Sequence, residues 1–180
     1  GIELESYYDG VPGFSGAGKR VTPLIAPGDS FVVRFTPPRA GTFIYHTHHD
    51  EERQQQAGLA GALIVREPDV PFDAARDHAI VITSPADQAE AARRVYFNAA
   101  DSPAPIIVRV GETARLRVIN MTLRRSGVRM RLKRGDAMVP WRLVAKDGAA
   151  IPASLVVSRP FAQLISIGET ADFEITGDEP

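Results

Sequence analysis

Three of the four histidines of this 180-residue chain lie within four positions of one another, at His46, His48 and His49. His46 and His48 follow an apolar segment, Thr42-Phe43-Ile44-Tyr45, whose residue types are typical of a β-strand. Residues i and i+2 of a strand point to the same face, so the two imidazoles are expected side by side. Imidazole is the commonest metal ligand, and copper leads the divalent ions in intrinsic affinity. The spacing indicates a metal site, although a polar loop after a strand would give the same pattern.

The other two histidines do not fit this pattern. His49 breaks the alternation, and we expect it to face solvent or to lie behind the ligands. His78 stands alone before a strand and is interpreted as a structural or exposed histidine. The chain has no cysteine, which excludes a disulfide framework, a thiolate zinc site and a cysteine nucleophile.

Composition and charge exclude several classes of partner. The chain is 44% hydrophobic and 24% charged, with a formal net charge of −1, which gives no reason to expect nucleic acid or an anionic membrane. The basic run at residues 124–134 alternates apolar and basic side chains, as in a half-buried strand with a solvated face. No apolar run approaches the roughly 20 residues that span a bilayer.

The chain as a whole shows the pattern of an all-β protein. Short apolar runs are separated by turn residues, with 14 prolines and 15 glycines in all. We expect short helices at 50–57 and 86–93. The predicted strands are 30–35, 41–46, 62–66, 78–83, 106–110, 114–120, 128–133, 141–145, 163–167 and 171–176.

A linker is expected where the sequence becomes polar and proline-rich, from Glu67 to Asp73. A weak repeat of a turn, an acidic residue and a strand occurs on both sides of it, at 26–35, 110–119 and 166–173. Two similar β-sandwiches in tandem would explain the repeat.

The histidine segment has a wider context. Gly41-Thr42-Phe43-Ile44-Tyr45-His46-Thr47-His48, then Arg53-Gln54 and Gly58-Leu59-Ala60-Gly61, resembles the second histidine motif of multicopper oxidases. The resemblance implies that His46 and His48 each bind one copper ion of the type 3 pair. It also implies a cupredoxin fold, with the motif late in the first cupredoxin domain.

The first residues resemble the segment that follows the first histidine motif of the same family, His-Trp-His-Gly, with Gly1 as its glycine. The resemblance places Asp9 near the type 2 copper, where it would help to deliver protons to oxygen. A simple turn is the alternative, because Asp-Gly is a common turn pair. The chain starts without methionine, and we expect it to be a piece of a longer protein whose first histidine pair precedes Gly1.

The second half resembles the middle domain of these oxidases, which binds no copper, at 96–98, 110–120 and 141–148. The expected fold is therefore all-β, with tandem cupredoxin-like Greek-key β-sandwiches, the first incomplete at its N-terminus. The expected units are the end of cupredoxin domain 1 at 1–68, a linker at 69–76 and cupredoxin domain 2 at 77–180.

The implied activity couples one-electron oxidation of a phenol-like or metal-ion substrate to reduction of O2 to water, in the periplasm or outside the cell. That reaction needs a type 1 copper with a cysteine ligand and further histidine pairs, which a missing C-terminal cupredoxin domain would carry. We therefore expect the isolated chain to be inactive. The alternatives are a non-enzymatic cupredoxin-like protein and a relative of copper nitrite reductase, which the lack of cysteine disfavours.

Overall fold

The computed structural model describes residues 25–30, 32, 34–47, 50–91, 93–123 and 127–178. Strands dominate these residues, and the helices are short. The expected all-β class is therefore confirmed. No helix in the described part of the chain is long and apolar enough to cross a membrane.

The histidine segment lies on a two-stranded hairpin. Strand β1 (Gly41–His46) pairs antiparallel with β2 (Ala60–Val65), from Gly41 opposite Val65 to His46 opposite Ala60. Helix α1 (Glu51–Gln56) fills the connection between them. We call this unit, residues 41–65, the histidine hairpin.

The rest of the described chain is built on a six-stranded sheet. Its strands are β3 (Asp77–Thr83), β4 (Tyr96–Phe97), β5 (Thr113–Asn120), β9 (Arg142–Lys146), β10 (Ala149–Ala150) and β12 (Thr170–Thr176). They lie in the order β10-β9-β12-β5-β3-β4, and all neighbours are antiparallel except β3 and β5, which run parallel.

Two smaller two-stranded sheets complete the strand inventory of the described residues. They pair β6 (Val128–Arg131) with β11 (Ala162–Ile165) and β7 (Lys133–Arg134) with β8 (Ala137–Met138). The short helices outside the histidine hairpin are α2 (Gln88–Ala91) and a 3-10 turn at Ala153–Leu155.

The main core lies between the six-stranded sheet and the two-stranded sheet formed by β6 and β11. Trp141 stacks on Phe173 with ring centroids 4.0 Å apart, and its indole N–H donates to the Phe161 carbonyl at 3.1 Å. Both needs of a buried tryptophan, apolar contact and a polar partner, are therefore met. The buried members of the core are Ile82, Val118, Trp141, Ile165, Ala171 and Phe173.

Two strand predictions differ from the structure. The expected strand at 106–110 is wrong, because only Val110 makes a bridge, to Gly177, and 106–109 belong to no strand. At 30–35 the described residues form no strand, while residues 31 and 33 lie outside the description. Both segments are rich in β-branched and aromatic residues, but pairing partners rather than propensity decide strand formation. The strand predicted at 128–133 is present only in part: β6 ends at Arg131, and Lys133 begins a separate strand, β7.

The histidine hairpin contacts the sheet at the tight turn between β9 and β10. Buried Phe43 packs against Gly148, whose φ is +71°, and a Cβ atom at Gly148 would collide with the Phe43 ring. The Arg39 guanidinium lies 5.4 Å from the Phe43 ring and donates from Nε to the Gly148 carbonyl at 3.0 Å. The turn therefore needs glycine both for its backbone angle and for the approach of the ring.

We expect Gly148→Ala to lower the free energy of unfolding by about 2–4 kcal/mol, since the new methyl group adds overpacking to backbone strain. Gly135→Ala is the matched control, because Gly135 has a φ of +57° but open space around it. We expect the control to lose about 1 kcal/mol. Urea unfolding of both variants measures the difference, and equal losses would contradict the packing role of Gly148.

The turn before β12 is closed by a carboxylate. The Ser166 backbone N–H donates to Glu169 Oε2 at 2.7 Å, and the Lys146 ammonium lies 2.9 Å from Oε1. The hydrogen bond from Ser166, and next the one from Lys146, lower the pKa of Glu169 below its ordinary value of 4.5. The ionised form of Glu169 therefore stabilises the fold.

This lowered pKa predicts a pH dependence. The contribution of Glu169 is complete above about pH 4.5 and is lost as the pH falls through the lower, folded-state pKa. Glu169→Gln should therefore be less stable than wild type at neutral pH, and the difference should shrink on acidification. Urea midpoints from about pH 7 to about pH 3 test this. Exposed Glu67 provides the control Glu67→Gln, and a pH-independent effect at Glu169 would contradict the prediction.

Candidate metal centre

Strand β1 places His46 at its last position, opposite Ala60 of β2. The hairpin continues past the strand by one hydrogen bond, from the Thr47 backbone N–H to the Leu59 carbonyl at 3.3 Å. The His46 side chain is 19% exposed, so it is sheltered but reachable. A partly buried imidazole at a strand end suits a metal site whose other ligands come from elsewhere in the protein.

Helix α1 lies against the His46 ring. Glu51 Oε1 is 3.4 Å from His46 Nδ1, and the Gln55 side-chain amide nitrogen is 3.1 Å from the same atom. Gln55 also donates to Glu51 Oε1 at 2.7 Å. Residues four apart share a helix face, and these two together hold one side of the imidazole.

The loop between β1 and α1 is tied to the helix as well. The Thr47 hydroxyl donates to Gln54 Oε1 at 2.5 Å. Arg53 pairs with Asp50, which has a φ of +47° and begins the helix. The Arg53-Gln54 element of the motif therefore binds the residues on either side of the undescribed positions 48 and 49, through Thr47 and Asp50.

The oxygen atoms near Nδ1 select a tautomer for His46. The Thr47 carbonyl oxygen lies 2.9 Å from Nδ1, and the Glu51 carboxylate is a second acceptor on that side. The Gln55 amide nitrogen, 3.1 Å from Nδ1, is a donor on the same side, but the Thr47 carbonyl lies closer and the Glu51 carboxylate adds a second acceptor. The two acceptors favour a proton on Nδ1 and place the lone pair on Nε2. Metal-binding histidines are oriented in this way by partners of the other ring nitrogen. The residues present therefore fit a copper ion bound through Nε2.

Other predicted site residues lie beyond the description or away from the site. Asp9, His48 and His49 are outside the described residues, so their predicted roles stay predictions. His78 lies on β3, outside the histidine hairpin, and its Nε2 atom is 3.1 Å from the Ala75 carbonyl oxygen. Within the described ranges, which omit 48 and 49, no three His, Cys, Asp or Glu side chains are grouped to hold a metal.

The sequence analysis missed Glu51 and Gln55. Their i, i+4 spacing on the predicted helix at 50–57, directly after the histidines, was the signal that could have found them. What the sequence did not reveal is which face of the helix turns towards His46.

We predict that neutral His46 carries its proton on Nδ1. Long-range 1H–15N spectra at about pH 8, above the usual titration range of histidine, report the tautomer. Glu51→Ala removes one acceptor and should shift the population towards the Nε2–H form. Gln56→Ala is the control on the same helix, because the Gln56 amide pairs with Glu52. A wild-type ring protonated on Nε2 would contradict the assignment.

Comparison with known proteins identifies the relatives of this hairpin. Residues 1–70, which include it, match a family model described as multicopper oxidase. A copper resistance protein A homolog from Pseudomonas syringae pv. tomato is 39% identical over 90 residues, covering 49% of this chain and 14% of that protein. Laccase-1 of Emericella nidulans is 39% identical over 82 residues, covering 46% of this chain and 12% of that protein.

Solved structures extend the likeness to the whole fold. A multi-copper oxidase from Pseudomonas thermotolerans superposes with a TM-score of 0.68 at 26% identity, covering 96% of this chain and 42% of that chain. The cupredoxin-like fold expected from the sequence is thereby confirmed. The matched part of the chain covers only about a seventh of the curated relatives' length.

Proposed function

We propose, from the match of residues 1–70 to the multicopper oxidase family model, that His46 and His48 are ligands of the type 3 copper pair in an oxygen-reducing enzyme. The observation that carries the proposal is the contact of His46 Nδ1 with two oxygen acceptors, which favours the tautomer whose Nε2 lone pair can bind a metal. The spacing of His48 in the sequence, two residues after His46, supports a shared site.

The proposed reaction transfers electrons from a one-electron donor, a phenol or a reduced metal ion, to O2. Four electrons and four protons convert one O2 to two water molecules, and each donor molecule gives up one electron. Copper, when bound, supplies the one-electron redox chemistry. The further ligands, including the cysteine of a type 1 site, would come from parts of the protein outside this chain.

The chain's own residues would orient the His46 ring and supply a proton-transferring carboxylate. Thr47, Glu51 and Gln55 hold the His46 ring so that Nε2 faces away from helix α1. Asp9 is proposed to pass protons towards the bound oxygen near the type 2 position. A division of the chain into cupredoxin units at 1–68 and 77–180, joined by 69–76, is part of the same proposal, as is a periplasmic or secreted location.

The copper test uses the complete polypeptide that contains this sequence. We expect His46→Ala and His48→Ala each to lower the amount of bound copper. Each should also reduce O2 consumption with a phenolic donor to below about a hundredth of the wild-type rate, because losing a metal ligand costs more than losing a residue that hydrogen-bonds to a ligand. Metal analysis and an oxygen electrode measure the two quantities.

The control for this test is His78→Ala, because His78 lies on β3 and its ring contacts the Ala75 backbone carbonyl just before that strand. It should keep both copper and turnover. Full activity in His46→Ala would refute the proposal. The isolated chain of residues 1–180 should consume no oxygen even after copper loading, and turnover by it would contradict the need for further ligands.

A further inference from the structure

A buried cluster of charged and hydroxyl groups joins the histidine hairpin to the six-stranded sheet. We call it the anchor cluster; its members are Thr42, Asp77, Arg115, Arg117, Thr170 and Asp172. Thr42 and Asp172 are each 1% exposed. Carboxylates are almost never this buried without paired charges.

Asp172 is the centre of the anchor cluster. Its Oδ2 atom accepts from the Thr42 hydroxyl at 3.0 Å, from Arg115 Nη2 at 2.6 Å and from Arg117 Nη1 at 3.2 Å. Its Oδ1 atom has no hydrogen-bond partner among the described residues. Among the described residues, every hydrogen bond to this buried carboxylate is therefore made to Oδ2, the oxygen atom that faces the histidine hairpin.

Arg117 connects the same hydroxyl to a second acid. It donates from Nη1 to the Thr42 hydroxyl at 2.8 Å and binds Asp77 through two nitrogens, at 2.6 and 2.8 Å. Burial opposes its charge, but the hydrogen bonds to Asp77 and the charges of both acids outweigh it, so the pKa of Arg117 is raised. The guanidinium stays charged and fixed in orientation.

Thr42 is therefore held at three points. Its hydroxyl donates to Asp172 and accepts from Arg117, while its carbonyl oxygen accepts from the Thr170 hydroxyl at 2.9 Å. Thr42 and His46 lie four residues apart on β1, so they share a face and are roughly 13 Å apart. A paired strand is stiff over that distance, and fixing Thr42 fixes where His46 is presented.

We infer that the anchor cluster positions the histidine-bearing strand: Asp172 and Arg117 act through Thr42 as positioning residues for His46. The importance of this role for copper rests on the proposed function. A role confined to general stability would instead affect the hairpin and the sheet alike.

The decisive variant is Thr42→Val, which keeps the β-branched shape and removes the hydroxyl while leaving the Arg–Asp pairs in place. In hydrogen exchange of the isolated chain, we expect the β1 and β2 amides to exchange about 10-fold faster, as a lost hydrogen bond to charged groups implies. The β5 and β12 amides should stay within about 2-fold of wild type. The imidazole resonances of His46 should shift as well.

Two controls accompany this variant. Thr42→Ser keeps the hydroxyl and should restore slow exchange in the hairpin. Glu174→Gln breaks another ion pair of β12, with Arg142, two residues from Asp172, and should leave both β1 exchange and the His46 resonances unchanged.

Equal acceleration of hairpin and sheet, no acceleration at all, or failure of Thr42→Ser to restore protection would each overturn the inference. So would unchanged His46 resonances in Thr42→Val. No copper is added to these samples. A failure of copper binding in the complete protein would therefore refute the proposed function and leave the exchange result standing.

Discussion

The structure depends on one buried carboxylate. Asp172 lies on β12 in the middle of the six-stranded sheet, where an unpaired negative charge would be prohibitively costly. Arg115 and Arg117 on the neighbouring β5 neutralise it, and the register of the two strands places Arg117 directly opposite. The remaining hydrogen bond comes from Thr42, outside the sheet. Through this bond the histidine hairpin helps to cover the buried charge.

Such a cluster contributes specificity more than stability. Desolvation offsets most of the attraction between buried charges, and apolar replacements of the same volume often do as well. A hydroxyl, two guanidinium groups and a carboxylate nevertheless fit together in few geometries, whereas apolar faces can slide. Phe43 against Gly148 supplies the apolar contact, and Thr42 against Asp172 fixes its position. The hairpin is thereby held in one orientation on the sheet.

Sequence reasoning succeeded where local pattern decides structure. Strand β1 was predicted at its observed bounds, because an apolar run after glycine ends at the first histidine. The role of His46 as a metal ligand stays a prediction from spacing and resemblance. The anchor cluster was not predicted, because Thr42, Arg117 and Asp172 are separated by 75 and 130 residues and meet only in the folded sheet. For the same reason the run at 106–110 looked like a strand, although only Val110 makes a bridge, to Gly177.

The long separation of Thr42 from its partners has a consequence for biosynthesis. At ordinary translation rates, the 130 residues between Thr42 and Asp172 take on the order of ten seconds to synthesise. During that time the histidine hairpin emerges without the surface that will cover it, and an isolated hairpin is marginal in water. The nascent segment that carries His46 and His48 can then meet copper or zinc ions in the compartment of synthesis before the fold is complete. Export before folding, or a low level of free copper there, would protect the nascent chain.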